Sequence, residues 1–348
     1  MKIAITTVQI PFVRGGAEFL AENLKKALTE RGMEAEIISM PFIDMPPERI
    51  EEHIVASRLM DVNYSWGGHI DRCIALKFPA YYMPHEDKVF WMLHQHRQAY
   101  DLFNTPFSTL KDDETGKKIR SMIAAADTKY LAEGKRIYTI AQNVSNRLMR
   151  YNGISSTALY HPCPDMEQFH DGKFEDYLLM PSRLNVTKRQ SLAIKALAAA
   201  KSRLKLYVVG RAESPEMKAE LEALAESLGV SDRVKFLDYV SQEEKIELYA
   251  NARAVMFVPY DEDYGYITLE AMASGKAVIT AKDSGGPLEF VKDRETGFVA
   301  EPTPEGIAEA ITKIEDSRDL AAHFGDMGKE RLNSMNVSWD YVVEELTK

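Results

Sequence analysis

Cysteine is nearly absent. Cys73 and Cys163 are the only two in 348 residues, too far apart for a CxxC motif, and two cysteines specify neither a zinc site nor a disulfide framework. Both read as buried thiols. Long apolar runs are missing too: none approaches the ~18 residues of a membrane span. The stretch from Ile3 to Val13 is interrupted by Thr6, Thr7, Gln9 and Pro11 and has no small-residue cleavage site, so it reads as a first strand and not as a signal peptide. A cytoplasmic protein is the default expectation, with the inner face of a membrane as the alternative. Short-period repeats and low-complexity tracts do not occur.

Positive charge is in short supply. The net charge is −10, with 20 basic and 19 acidic residues in positions 1 to 150 and 23 against 34 in the remainder. No basic stripe is present to neutralise a phosphate backbone, which excludes nucleic acid as the expected partner. Residues 111 to 150 are locally basic, nine Lys/Arg against five acids. A solvated helix face is the simpler reading, and weak peripheral contact with a membrane or an anionic acceptor is the alternative. With 45% hydrophobic and 28% charged residues, the chain has the composition of an ordinary globular protein long enough for two domains.

The chain carries two α/β cycles. Lys2 to Thr7 reads as a strand, Gly15-Gly16 as a glycine loop, and the following segment as a helix with Leu20, Leu24, Ala27 and Leu28 on one face, closed by Gly32. Ala35–Ser39, Val89–Leu93, Ile137–Ala141 and Ala158–Tyr160 have strand composition, with helical segments between them, which predicts a parallel sheet. The segment from His161 to Asp176 reads as a linker. A second cycle follows, with strands expected at Tyr177–Met180, Leu204–Val209, Val234–Leu237, Ala254–Val258 and Ala277–Thr280, and a helix over Ser214–Leu228. The final segment, from Ser338, is an amphipathic helix with a serine N-cap; Trp339 and Val343 need a covering surface, which the first domain supplies if the helix returns to it. The expected division is 1–165 plus about 336–348, and 166–335.

Glu262 and Glu270 stand eight residues apart in DEDYGYITLEAMASG, positions 261 to 275. The apolar periodicity starts a helix near Tyr266 and ends it before Gly275, a suitable left-handed cap. Glu270 then lies one turn inside the helix and Glu262 on the loop leading in, roughly 6 Å of rise apart at ~1.5 Å per residue. Acids in a first turn also simply complement the helix dipole. The flanking runs, residues 254 to 259 and 276 to 280, make this a strand, acidic loop, helix, strand unit, and open α/β sheets bind ligands at that strand end. A helix N-terminus favours phosphate, and two hydroxyl-binding acids beside it suit a sugar nucleotide.

Arg183 and Lys188 flank the loop after the first strand of the second cycle. An Arg fork plus a mobile ammonium stabilises a diphosphate as its charge develops; a solvated basic loop is the plain alternative. Gly285-Gly286-Pro287 is a second glycine loop. Aromatics crowd the first half: Tyr64, Trp66, Tyr81, Tyr82, Trp91 and Tyr100 read mostly as core, with sugar stacking as the other use.

Gly15-Gly16-Ala17-Glu18, Ser182-Arg183-Leu184 through Lys188, Val208-Val209-Gly210, Phe236 through Ser241, Glu262 through Ala273, and Gly285-Gly286-Pro287 with Glu289 together make the chain resemble the retaining glycosyltransferases of family 4, also called glycosyl transferases group 1. The resemblance runs nearly end to end, and the spaced glutamates are its specific part. It implies the α/β GT-B architecture: two Rossmann-like domains facing each other across a cleft, the first on the acceptor side, the second binding the nucleotide sugar, with the C-terminal helix returning to the first. It implies that Glu262 holds donor-sugar hydroxyls and Glu270 the ribose hydroxyls, and that Arg183 and Lys188 clamp the diphosphate. Backbone N–H groups around Gly15, Gly16 and Gly265, Tyr266, Ile267 and Thr268 assist. The base lies near Arg211 and Val240. A histidine after a first-domain strand faces the donor sugar; His94 fits best and His96 competes.

Tyr264 stands where the family usually has Phe, and Tyr260 where it has Ser, which leaves donor identity open. The implied reaction moves a hexose-type sugar, a UDP-sugar favoured, to a hydroxyl of a glycan, lipid-linked or small acceptor with retention, without metal or other cofactor. Two rivals stand: a sugar-nucleotide epimerase or hydrolase on the same scaffold, and a transferase using Asp261-Glu262-Asp263 as a DxD metal site.

Overall fold

The computed structural model describes residues 1–348 except Val13. Its chain divides into two compact units, Met1–Pro164 with Ser338–Lys348, and Asp165–Val337. The divisions fall after Pro164 and Val337, where sequence reading puts them after 165 and 335.

The first unit is built on β1 (Lys2–Gln9), β2 (Glu34–Pro41), β5 (Arg72–Ala75), β6 (Lys88–Met92), β7 (Arg136–Thr139) and β8 (Thr157–Ala158), with a small hairpin of β3 (Tyr64–Ser65) and β4 (Gly68–His69). The six long-sheet strands run in the order β2-β1-β5-β6-β7-β8, every pair parallel. Four helices connect them: α1 (Gly16–Glu30), α2 (Arg49–Leu59), α3 (Glu114–Tyr130) and α4 (Gln142–Asn152). The α1 stripe of Leu20, Leu24, Ala27 and Leu28 is buried. Tyr81, Tyr82 and Trp91 are core, whereas Tyr64 and Trp66 are exposed on the hairpin. Cys73 and Cys163 are both buried; burial pushes the Cys73 thiol up to about 11, which keeps it protonated.

The second unit holds β9 (Tyr177–Pro181), β10 (Lys205–Val209), β11 (Val234–Leu237), β12 (Ala254–Met256), β13 (Val278–Ala281) and β14 (Gly297–Ala300). Their order is β11-β10-β9-β12-β13-β14, again wholly parallel. This is the 3-2-1-4-5-6 order of a dinucleotide-binding sheet, with its reversal between β9 and β12. The helices are α5 (Gln190–Ala200), α6 (Pro215–Ser227), α7 (Gln242–Asn251), α8 (Tyr266–Ala273), α9 (Pro287–Phe290), α10 (Pro304–Asp316) and α11 (Arg318–Ser334). Leu178, Met180, Leu206, Val208, Met256 and Ile279 fill one face of the sheet against Ile194, Leu197, Ile307 and Ile311. These near-continuous apolar strands reflect burial on both faces.

Four strands among the described residues are not anticipated from sequence: the hairpin pair β3 and β4, β5 and β14. β5 carries a charge at its first residue and is only four residues long, and β14 starts on glycine. β8 is shorter than Ala158–Tyr160, ending at Ala158. The last helix, α12 (Trp339–Thr347), takes the Ser338 cap and packs within the first unit. Its Trp339 ring meets Trp91 edge to face at 6.2 Å, and Val343 is buried. Buried Arg72 clamps it: the guanidinium donates to the backbone oxygens of Leu346 (3.0 Å) and Lys348 (2.8 Å), and to both Asp87 carboxylate oxygens at 3.1 and 3.2 Å. Arg72→Ala removes two donors from Asp87, which keeps Lys135, and the donor to Leu346 O, while Lys348 O keeps Arg136. It is expected to lower the unfolding free energy by about 2 kcal/mol in urea titration; a change under about 0.5 kcal/mol, the size of an ordinary surface substitution, contradicts the clamp.

Candidate functional site

The sheet reversal in the second unit determines where polar groups can gather. Loops leaving neighbouring strands in opposite directions open a crevice at their carboxyl ends. The loops after β9 and β12 flank this reversal, and they carry Lys188 and Glu262.

Three left-handed residues shape these loops: Arg189 at φ 55°, Asp261 at 42° and Gly265 at 88°. Such conformations in residues with a β-carbon cost on the order of 1–3 kcal/mol and persist where surroundings over-determine them. The surroundings here are backbone ladders continued beyond the strands. Tyr260 N–H donates to Thr187 O at 2.7 Å, Asp261 N–H to Asp283 O at 2.8 Å and Glu262 N–H to Ser284 O at 2.9 Å, while Gly286 N–H returns to Glu262 O at 2.7 Å. Arg189 locks them together. Its Nε donates to Val258 O (2.7 Å), Nη2 to Pro259 O (2.6 Å), and Nη1 and Nη2 to the two Asp283 oxygens at 2.9 and 2.7 Å.

Lys188 Nζ makes an ion pair with Glu262 and lies 5.3 Å from the centre of the Phe257 ring. Both side chains are partly buried, which strengthens the pair relative to a solvent-exposed one. Arg183, on the same loop, is exposed. The sequence therefore brings Lys188 and Glu262 into direct contact, an arrangement not anticipated when they are assigned separately to phosphate and sugar.

Gly265 caps α8 at its N-terminus. A β-carbon there would stand 2.9 Å from Phe257 Cε1 and 3.2 Å from Pro287 Cγ, on a backbone that disfavours one. The helix then runs from Tyr266 to Ala273 and is closed at Gly275, φ 61°, as the periodicity predicts. Helix geometry leaves first-turn N–H groups without an intrahelical acceptor, and Tyr266 and Ile267 open this turn. Thr268 differs: its N–H is bonded to Gly265 O at 3.0 Å, and its hydroxyl is fully buried with no hydrogen-bond partner among the described residues. A donor contact through Thr268 therefore needs a rearranged first turn.

Glu270 is buried, and helix α7 orients it. Oε1 accepts from Lys245 Nζ at 3.0 Å and Oε2 from the Tyr249 hydroxyl at 2.5 Å. Lys245 and Tyr249 escaped the sequence reading, although their spacing of four places them on one helix face. Arg189 and Asp283 escaped it also; a cation at a helix start, against the dipole, was the available signal.

Arg211 and Val240 lie on the loops after β10 and β11. The Arg211 guanidinium stands 5.5 Å from the centre of the Tyr239 ring, and Arg211 O accepts from Leu184 N–H at 3.0 Å, which joins this loop to that of Arg183. A groove of about 690 Å³, lined by Tyr207, Tyr239, Val240 and Glu244, runs beside it.

In the first unit, Gly15 caps α1, but its N–H is already taken by Glu18 Oε2 at 2.8 Å in a capping box. Use of that N–H by a phosphate requires Glu18 to give way. His94 and His96 follow β6 and differ sharply. His94 is half-buried, with Nδ1 2.5 Å from Gln95 O. His96 is buried between Phe78 (ring centres 4.9 Å) and Phe42 (6.0 Å), and its Nε2 has no partner among the described residues. Burial, and secondarily the neighbouring His94, pushes its pKa down to about 3. Among the described residues no group of three or more His, Cys, Asp or Glu side chains is placed to hold a metal ion, and no helix is long and apolar enough to cross a membrane.

Two wholly parallel Rossmann-like sheets, with the C-terminal helix returned to the first, give the chain the GT-B fold. The solved structure of Anabaena Alr3699/HepE in complex with UDP and glucose matches over 100% of this chain and 98% of its own, with a TM-score of 0.72 at 16% identity. Residues 166–331, nearly the whole of the second unit, match the family model of glycosyl transferases group 1. The alpha-1,3/1,6-mannosyltransferase ALG2 of Dictyostelium discoideum is 37% identical over 127 residues, 36% of this chain and 30% of that protein. The D-inositol 3-phosphate glycosyltransferase of Streptomyces scabiei is 26% identical over 258 residues, 67% of this chain and 57% of its own. The chain thus spans less than two thirds of the length of either relative.

His96 gives the site a pH signature. Its ordinary value is ~6.5, so above that pH both folded and unfolded forms are neutral. Below it the unfolded form takes a proton that the folded form refuses until about pH 3. Stability is therefore lost as pH falls through this window, by up to about 1.4 kcal/mol per pH unit from this one group. Denaturant titrations between pH 7 and 5 should show a shallower decline for His96→Phe than for wild type; parallel declines contradict a buried neutral His96.

Proposed function

We propose that the chain is a retaining glycosyltransferase of the family 4 type. It moves a hexose from a nucleoside diphosphate sugar, a UDP-sugar favoured, to an acceptor hydroxyl in glycan, glycolipid or glycoside synthesis. The observation that carries this reading is the Lys188–Glu262 ion pair, held at the sheet reversal beside the N-terminus of α8. The pair is a resting state with exchangeable partners. A diphosphate offers Lys188 two stronger charges, and Glu262, once released, accepts hydrogen bonds from the hydroxyls of the donor sugar.

The remaining roles follow from placement. Exposed Arg183 supplies a fork to the diphosphate, and the first turn of α8 supplies N–H groups and a positive dipole end. Glu270 uses two of its carboxylate acceptor sites for Lys245 and Tyr249 and retains others for ribose hydroxyls. Arg211 and Val240 take the base. On the first unit, His94 is assigned to the sugar, because His96 is enclosed by Phe42 and Phe78. The family relation of the second unit supports the donor half of this reading. The HepE complex supports a uridine nucleotide.

In the reaction the C1–O bond to the diphosphate breaks as the acceptor oxygen forms the new bond on the same face. The departing phosphate oxygen takes the acceptor's proton. Lys188 and Arg183 stabilise the charge that develops on the leaving group, so no metal or other cofactor is required for that role. A double displacement through Glu262 suits the site less well, since Glu262 and Glu270 attend different parts of one ligand and do not bracket the reacting bond.

The test is product analysis with UDP-, GDP- and ADP-sugars and a panel of hydroxyl acceptors, EDTA present throughout. An α-configured donor giving an α-configured glycoside supports the reading. Free sugar or an epimerised nucleotide sugar, with no glycoside, supports the hydrolase or epimerase instead, and activity abolished by EDTA supports the metal-dependent transferase. Lys188→Ala is expected to lower kcat on the order of 100-fold to 1000-fold while the melting temperature moves little; unchanged turnover removes Lys188 from the mechanism.

A further inference from the structure

β6 ends at Met92, and its pairing runs on to Leu93, whose N–H donates to Leu76 O at 3.1 Å. Beyond it a chain of side-chain hydrogen bonds ties Gln95 to the helices. Gln95 is 2% exposed, and its Nε2 donates to Oδ1 of Asn152, the last residue of α4. Asn152 Nδ2 donates to the Tyr100 hydroxyl oxygen at 3.2 Å, and the Tyr100 hydroxyl donates to Asp127 Oδ2 at 2.6 Å. Asp127, on α3, is wholly buried, and its other oxygen accepts from Tyr81 at 2.8 Å and Tyr82 at 2.6 Å.

The donors and acceptors leave one arrangement. Asp127 accepts only, so the single Tyr100 proton points to it and the Tyr100 oxygen faces outward as an acceptor. That orients the Asn152 amide with Nδ2 toward Tyr100 and Oδ1 toward Gln95. Gln95 in turn presents its backbone carbonyl to His94 Nδ1, and because a carbonyl only accepts, the neutral ring carries its proton on Nδ1 and leaves Nε2 as the acceptor.

We propose that Asp127, Tyr100 and Asn152 are positioning residues for His94, acting through Gln95 to set the orientation and tautomer of its imidazole. The inference rests on the assignment of His94 to the donor sugar. Burying a carboxylate under three phenols costs more than an apolar core of the same volume, and such networks specify one geometry where apolar packing tolerates several. Tyr81 and Tyr82 satisfy one oxygen of Asp127; Tyr100 alone extends from the carboxylate to the loop.

That asymmetry supplies the experiment. Tyr100→Phe and Tyr81→Phe each remove one phenol from the same carboxylate, but only the first cuts the chain to His94. Melting temperature, kcat and donor KM are measured for both, with His94→Ala beside them. Both phenylalanine variants should melt below wild type. Tyr100→Phe should lose kcat on the order of 10-fold to 100-fold with donor KM within about 2-fold of wild type, a margin of under about 0.5 kcal/mol; Tyr81→Phe should keep wild-type kcat. Equal kcat in the two variants, with His94→Ala inactive, overturns the inference alone. Full activity in His94→Ala overturns the role of His94 and the inference with it.

Discussion

Arg189 is the residue on which the second unit's site depends. The loops after β9, β12 and β13 bring the carbonyls of Val258 and Pro259 and the carboxylate of Asp283 to one place. Gathered without a cation, these oxygens repel one another and lack donors. A planar guanidinium satisfies all of them at once, which a lysine ammonium with three donors on a flexible stem does less well. Its left-handed backbone, φ 55°, is the local cost of pointing the side chain back under the loop. With the loops locked, the ladder from Tyr260 to Gly286 follows, and Lys188, one residue before Arg189, meets Glu262.

The consequence is a division of labour between adjacent cations. Arg189 is committed on every side to protein oxygens. Lys188 has one carboxylate partner and sits at the crevice. On the proposed reading, a diphosphate displaces Glu262 from Lys188 without disturbing the loop, because loop geometry is held by the neighbouring residue. The acid-rich second half of the chain does not conflict with this. Three carboxylates near the site are paired: Glu262 with Lys188, Glu270 with Lys245 and Tyr249, Asp283 with Arg189. The proposed anion site then rests on Arg183, Lys188 and the end of a helix.

Much of this was legible before the fold. The Tyr266–Ala273 helix and its Gly275 cap follow from apolar periodicity and a glycine, both local signals. The tandem α/β cycles follow from strand composition alternating with amphipathic segments, and the return of α12 from the need to cover Trp339 and Val343. Other features depend on partners remote in sequence. β5 is short and opens on Arg72, whose charge makes sense only beside Asp87 and the end of α12. Contact between Lys188 and Glu262 spans 74 positions, and Tyr249 reaches Glu270 across 21. Periodicity says nothing about such pairs. Gly15 marks the converse: a glycine loop at the right place reads as a phosphate site, while its own N–H is taken by Glu18 three residues on.

On the proposed reading, Lys188 exchanges Glu262 for the donor diphosphate while the Arg189 clamp stays in place. A crystal structure of the chain with UDP bound is the decisive measurement. Diphosphate oxygens are expected within hydrogen-bonding distance of Lys188 Nζ and of the first-turn N–H groups of α8, with Glu262 released and Arg189 still bonded to Asp283. UDP bound elsewhere, or bound there with the Lys188–Glu262 pair unbroken, contradicts it.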